Sequence, residues 1–185
     1  MTSLHAFALI LGAFGLQRLG EVVVSRRRCR TRPAVAEPRL FPAMVALHTA
    51  SLTVPLAEAA WLERPFLPWL AGLSAAALLC AEVLRGWTLW SVRRAWNVWV
   101  VRPAPEEVVT HGPYAWVRHP NYLVVVLELV FLPLLHTAWI SAIGLTALNA
   151  LVLARRIRTE EAVLSQIPAW RDAMRDRKRL LPGIL

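Results

Sequence analysis

Cysteine is scarce in this chain: Cys29 and Cys80 are the only two in 185 residues. Neither belongs to a CxxC pair and no histidine lies at ligand spacing, so a disulfide framework or a zinc site has no support and inert thiols are expected. Charged residues are few as well, at 18%, and Lys178 is the single lysine among 21 basic residues. Phosphate cradles are missing: no GxGxxG follows a strand pattern and no GxxxxGK[ST] occurs, which excludes a Rossmann or P-loop nucleotide site. Internal repeats and low-complexity segments are absent too. What remains is apolar. Hydrophobic residues make up 57% of the chain, with nine tryptophans, whereas a soluble domain holds roughly 45–50%. Such a composition excludes a disordered chain, a small secreted scaffold and a soluble enzyme. The length predicts one domain over residues 1–185.

A net charge of +9 would suit a polyanionic partner. The arginines, however, cluster between apolar blocks rather than along an amphipathic face with exposed aromatics, so no nucleic-acid partner is expected. About 20 mostly apolar residues cross a bilayer. The candidate spans are Leu4–Val24, Leu40–Leu62, Phe66–Leu84 (extending toward Trp90), the short Tyr122–Leu135, and Ala138–Ala154, with a tight helical hairpin over Pro133–Thr137. The sequence therefore predicts an all-α integral membrane protein of about five transmembrane helices plus a cytoplasmic C-terminal helix. The first span has no basic segment before it and no small-residue cleavage site after it, so it is expected to stay in the mature protein.

Basic residues gather after the first span (Arg26, Arg27, Arg28, Arg30, Arg32, Arg39), between the third and fourth (Arg85, Arg93, Arg94, Arg102, Arg118), and after the fifth, from Arg155 through Arg179. Only Arg18 and Arg64 fall elsewhere. The positive-inside rule then places the N-terminus outside and the C-terminus in the cytoplasm. The same arginines would meet membrane lipid headgroups.

Chemistry has to come from the loop 91–118, the tail from Arg155 onward, and the helix ends beside them. The densest segment is Val109-Thr-His-Gly-Pro-Tyr-Ala-Trp-Val-Arg-His-Pro-Asn-Tyr122. Gly112 and Pro113 suit a tight turn, and Pro120 suits the first turn of a helix whose free N–H groups favour an anion. An interfacial aromatic belt would account for Tyr114, Trp116 and Tyr122 but not for His119-Pro120 beside Arg118. In Arg155-Arg-Ile-Arg-Thr-Glu-Glu161, Arg156 and Glu160 lie four apart on one helix face, as a surface ion pair or as ligand contacts. Glu82 and Arg85 are expected to pair, and Arg18 to partner Glu21, because charge at membrane depth is expensive. Glu58 receives the same structural reading. His111 and His119, eight apart, match no common zinc spacing, so no metal is expected.

Thr110–Tyr122 followed by Arg156-x-x-x-Glu160-Glu161 resembles the isoprenylcysteine carboxyl methyltransferase family over roughly residues 82–185, including the closing Leu181-Pro182-Gly183. The RHPxY element alone also occurs in phospholipid N-methyltransferases and in NADPH-dependent membrane sterol reductases, and a reductase or a non-enzymatic membrane protein is the alternative reading. The resemblance implies a membrane enzyme using S-adenosylmethionine without a Rossmann fold. It assigns Val108, Val109, Tyr114, His119, Pro120, Asn121, Tyr122 and Glu160 to the cofactor and Arg156 to the acceptor. Glu161 completes the motif. An ionised acceptor needs a cation to orient it, a role suited to Arg156. Arg118 either assists catalysis or holds the loop by pairing with an acid. The implied acceptor is lipophilic: the carboxylate of a prenylated cysteine, or a hydroxyl of a long-chain alkylpyrone or alkylresorcinol. Arginine and alanine usage suits a GC-rich bacterium and hence a bacterial plasma membrane.

Overall fold

Proline opens three of the helices. Pro68, Pro120 and Pro168 each sit at the first helical position, where the missing N–H would have had no partner and the fixed φ favours the helix. The computed structural model describes residues 2–29 and 40–181. Arg30, Arg32, Arg39 and the closing Pro182-Gly183 lie outside the described residues. Among those described there are six α-helices: α1 Ser3–Cys29, α2 Leu40–Trp61, α3 Pro68–Val92, α4 Pro120–Leu134, α5 Trp139–Leu164 and α6 Pro168–Met174. They form no strand, and the one sheet-like contact is a parallel bridge between Val117 and Lys178.

The helices outrun the apolar blocks. α1 continues past Val24 through Arg26, Arg27 and Arg28, and α5 past Ala154 through Arg156 and Glu160. Helix hydrogen bonding does not stop where apolarity does, so the charged motif on α5 is part of a rigid rod. Four helices, α1, α2, α3 and α5, are long and apolar enough to cross a membrane. At 15 residues α4 is shorter, about 22 Å at 1.5 Å per residue. It runs between Pro120 and a turn at residues 135–137, where Thr137 takes a positive φ of 53° and donates from Oγ1 to the Pro65 carbonyl at 2.6 Å.

Neighbouring helices run antiparallel. α4 packs against α3 and α5, α5 against α2, and α2 against α1. Phe7, Leu11, Ala59, Leu78, Leu132 and Leu135 form one buried cluster, and Leu47, Val125, Leu129 and Leu145 another. Glu58 of α2 caps α5: its carboxylate accepts from Ile140 N (3.1 Å), Ser141 N (2.7 Å) and Ser141 Oγ (2.6 Å), and pairs with Arg64 at 2.9 Å. Those backbone N–H groups have no partner within the helix. The glutamate thus neutralises the helix end, a role the local sequence does not announce.

Charges on three helices meet inside the bundle. Arg85 of α3, 2% exposed, donates to Glu21 of α1 at 2.7 Å and to Glu128 of α4 at 2.5 Å, and lies 3.4 Å from Glu82. Arg18 of α1 pairs with Glu21 at 2.8 Å and with Glu128, while Gln17 donates to Glu82 at 2.9 Å. The expected pairs Arg18–Glu21 and Glu82–Arg85 are present. Glu128, unmarked among the apolar residues of α4, joins them. Cys80 is a free, exposed thiol on α3.

Candidate active site

Between α3 and α4 the chain makes a loop, residues 93–119, that the ends of the helices hold in place. Ser25 Oγ accepts from Val98 N at 3.0 Å, and Arg28 donates to the carbonyls of Arg93 (3.1 Å) and Trp96 (2.8 Å). Phe41, near the start of α2, stacks on Trp99 with ring centroids 4.5 Å apart. Further along, Gly112 has a φ of +63°, and a Cβ there would stand 2.3 Å from Ser91 Oγ. Only glycine fits this close approach to α3, and it starts the short helical turn Gly112–Ala115.

The tail closes over this loop. Arg118 N donates to Lys178 O at 2.8 Å and His119 N to Arg179 O at 3.0 Å. Arg177 reaches the Tyr114 carbonyl at 2.6 Å. Arg118 donates to the carbonyls of Arg177 (2.8 Å) and Arg175 (3.2 Å) and pairs with Glu161 at 3.3 Å. Glu161 also accepts from His119 Nε2 (3.2 Å) and Arg179 Nη2 (2.8 Å), and its carboxylate holds the Arg179 guanidinium above its ordinary pKa. Ile167, Trp170 and Met174 pack with Val108 and Tyr114, so the tail shares a small core with the loop.

Two cavities result. The first, about 150 Å³, is walled by Val108, Val109, Tyr114, Arg118, His119, Asn121, Tyr122 and Glu160, by loop residues including Trp96, Asn97, Trp99 and Arg102, and by Trp170 and Met174 of α6. The second, about 370 Å³, lies among α1, α2, α4 and α5, with Arg156 in its wall. Trp96, Asn97, Asn121 and Tyr122 border both. Tyr122 is the partition: its hydroxyl donates to the Glu160 carboxylate on the first side and accepts from Arg156 Nε, at 3.0 Å, on the second. Arg156 is 5% exposed and also donates to Val98 O at 2.7 Å. Burial, and then the negative charge of Glu160, push the Tyr114 phenol above its ordinary pKa, so it stays neutral.

Of the residues singled out from sequence, Val108, Val109, Tyr114, His119, Asn121, Tyr122 and Glu160 come together around the first cavity, and Arg156 faces the second. Pro120 lines neither. It is fully buried and starts α4. Arg118 touches the first cavity but spends its guanidinium on tail carbonyls and Glu161. His111 is exposed, while His119 is buried and stacks on Tyr122 with centroids 5.2 Å apart. Sequence reasoning placed the chemistry in the loop and the tail but assigned no site residue within 95–103 or α6. The tryptophans Trp96, Trp99 and Trp170 were the available signal.

Such a site offers a carboxylate and aromatic walls on one side of a phenol, and a guanidinium at the head of an apolar chamber on the other. The family model described as the isoprenylcysteine carboxyl methyltransferase (ICMT) family matches residues 73–166. The chain is 30% identical over 164 residues to the uncharacterized protein YpbQ of Bacillus subtilis (strain 168), covering 86% of this chain and 97% of that one. It also superposes on the structure of the eukaryotic intramembrane Ras methyltransferase ICMT with a TM-score of 0.67 at 20% identity. That match takes in 92% of this chain, which spans 64% of the length of the larger protein.

Proposed function

The chain belongs to the isoprenylcysteine carboxyl methyltransferase family, and on that premise we propose that it is an integral membrane enzyme transferring a methyl group from S-adenosylmethionine to an oxygen of a lipid-like acceptor. The observation that carries the reading is the Tyr122 partition, with Glu160 in one cavity and Arg156 in the other.

The first cavity fits the cofactor by its donor set. Asn121 Oδ1 borders it as a buried acceptor with no partner among the described residues. It and Glu160 match ribose hydroxyls and an ammonium, and Trp96, Trp99 and Trp170 supply aromatic lining suited to an adenine. When bound, S-adenosylmethionine supplies an activated methyl group on a sulfonium. The rest of the work is positioning, which dominates an in-line displacement. Arg156, always charged and oriented by its bonds to Tyr122 and the Val98 carbonyl, holds the anionic oxygen of the acceptor at the head of the second cavity without quenching it. Tyr122, tied to both Arg156 and Glu160, holds the two sides in register. The bonding of Arg118 supports the holding role rather than a direct catalytic one.

The acceptor is a polar head on a long apolar tail. It is either a prenylated cysteine carboxylate, already ionised, or the hydroxyl of an alkylpyrone or alkylresorcinol, whose proton must pass to a base. Glu160, Glu161 or a histidine are the nearby candidates for that base. Residues 1–185 form one domain, with the catalytic part over about 82–185. It crosses the membrane five times, α4 being the short fourth span. The basic ends of α1, α3 and α5, together with the loop, the tail and α6, face the cytoplasm of a bacterial plasma membrane, with the N-terminus outside. Titration of the detergent-purified protein with S-adenosylhomocysteine, and with NADPH in parallel, tests the reading. Binding of S-adenosylhomocysteine alone is expected. Binding of NADPH alone would turn the same motif into a reductase site.

A further inference from the structure

Holding an acceptor by its head leaves Asn149 unexplained. Asn149, Val152, Leu153 and Arg156 occupy one face of α5 at i, i+3, i+4 and i+7, and all four line the second cavity. Asn149 is 4% exposed, and its Nδ2 is buried without a hydrogen-bond partner among the described residues. A buried amide left unpaired is costly, and such groups almost always find partners. Across the same cavity stands His48 of α2, whose Nδ1 lies 2.7 Å from the Met44 carbonyl. A carbonyl only accepts, so Nδ1 carries the proton and Nε2 is left as an acceptor. The cavity thus holds an amide and an imidazole acceptor in walls that are mainly apolar but also include Arg18, Glu21, Thr49 and Thr53, a combination that suits an oxygen function better than a bare hydrocarbon.

We propose that Asn149, about two turns along α5 from Arg156, hydrogen-bonds a second oxygen function, a hydroxyl or carbonyl, partway along the acceptor's chain, which narrows the acceptors above to those whose tails carry such a group. This deepens the methyltransferase reading and rests on it for the position of the head at Arg156. The backbone of α5 rises about 10 Å from Asn149 to Arg156 and an extended chain advances about 1.2 Å per bond, so 10-hydroxyoctadecanoic acid, with its carboxylate on Arg156, is the probe whose hydroxyl matches that separation.

The test is competition against radiolabelled octadecanoic acid on detergent-purified wild type, Asn149→Leu and Asn149→Ala, with S-adenosylhomocysteine titrated into the same samples. Wild type is expected to bind the 10-hydroxy acid about tenfold tighter than the plain acid, to show no such gain for the 3-hydroxy acid, and to lose the preference in either variant while plain-acid binding persists. No preference in wild type, or one that survives in a variant able to bind S-adenosylhomocysteine, overturns the proposal. If no acid binds although S-adenosylhomocysteine does, the proposal falls and the methyltransferase reading stands. If the preference holds but S-adenosylhomocysteine does not bind, the assignment of the cavity stands and that reading falls.

Discussion

Removing the Glu161 carboxylate should loosen the tail from the loop it covers. In Glu161→Ala three partners are released: His119 at 3.2 Å, Arg118 at 3.3 Å and Arg179 at 2.8 Å. His119 is buried, so its bond to a carboxylate contributes about 1.5–3 kcal/mol. Arg179 is 54% and Arg118 22% exposed at the side chain, so each ion pair adds only about 0.2–1 kcal/mol. The loss is then about 2–5 kcal/mol, partly offset because the backbone bonds Arg118 N to Lys178 O and His119 N to Arg179 O remain. With 1.4 kcal/mol per factor of ten, the open fraction of the tail rises tenfold or more. Limited trypsin digestion in detergent reads this directly, since Arg175, Arg177, Lys178 and Arg179 are all cleavage sites. Cutting there should accelerate by about tenfold or more, while S-adenosylhomocysteine affinity falls only as far as the closed fraction does. Glu161→Gln, which keeps an acceptor without the charge, should fall between. A tail cut at the wild-type rate, with cofactor affinity unchanged, would refute the clamp.

Other outcomes separate the two cavities. Glu160→Ala should weaken S-adenosylhomocysteine binding, read by titration, because its carboxylate lines the first cavity; unchanged affinity would remove it from the site. Arg156→Ala should spare that binding and abolish turnover of the lipid acceptor, and Arg156→Lys should restore little of it, since an ammonium lacks the planar fork. Arg85→Met leaves Glu21 and Glu128 to share Arg18 alone and should cost up to about 3 kcal/mol, the low end for breaking a buried ion pair, seen as a lower melting temperature in detergent; an unchanged one would argue against the buried network. Gly112→Ala forces a Cβ to within 2.3 Å of Ser91 Oγ at a positive φ. It should displace the Gly112–Ala115 turn and lower cofactor affinity, while α3 to α5 keep their helical circular dichroism.

Much of this was legible in one dimension because helices and their prolines are local. The apolar blocks located α1, α2, α3 and α5, and the proline before Asn121-Tyr122 marked the start of α4. The spacing of Arg156 and Glu160 put them on one face, but nothing local showed that both reach the hydroxyl of Tyr122, more than thirty residues away. Long-range closure was equally hidden. Residues 95–103 look like an ordinary loop until Ser25, Arg28 and Phe41 pin them, and α6 gains its meaning from packing on Val108 and Tyr114. Glu58 and Glu128 were harder still, since an acid inside an apolar run does not reveal whether it caps a helix or joins an ion network.

That network bears on how the protein enters a bilayer. α1 carries Gln17, Arg18 and Glu21, α3 carries Glu82 and Arg85, and α4 carries Glu128. A charged group near the centre of a lone inserted helix costs roughly 2.5–3.5 kcal/mol on translocon scales, and α4 is also short. α1 and α3 are apolar enough to span in spite of these charges, and the opposite charges of all three helices meet once the helices touch. The helices are therefore interdependent: the charges of α1 and α3 find their shared partner, Glu128, only when α4 is packed beside them.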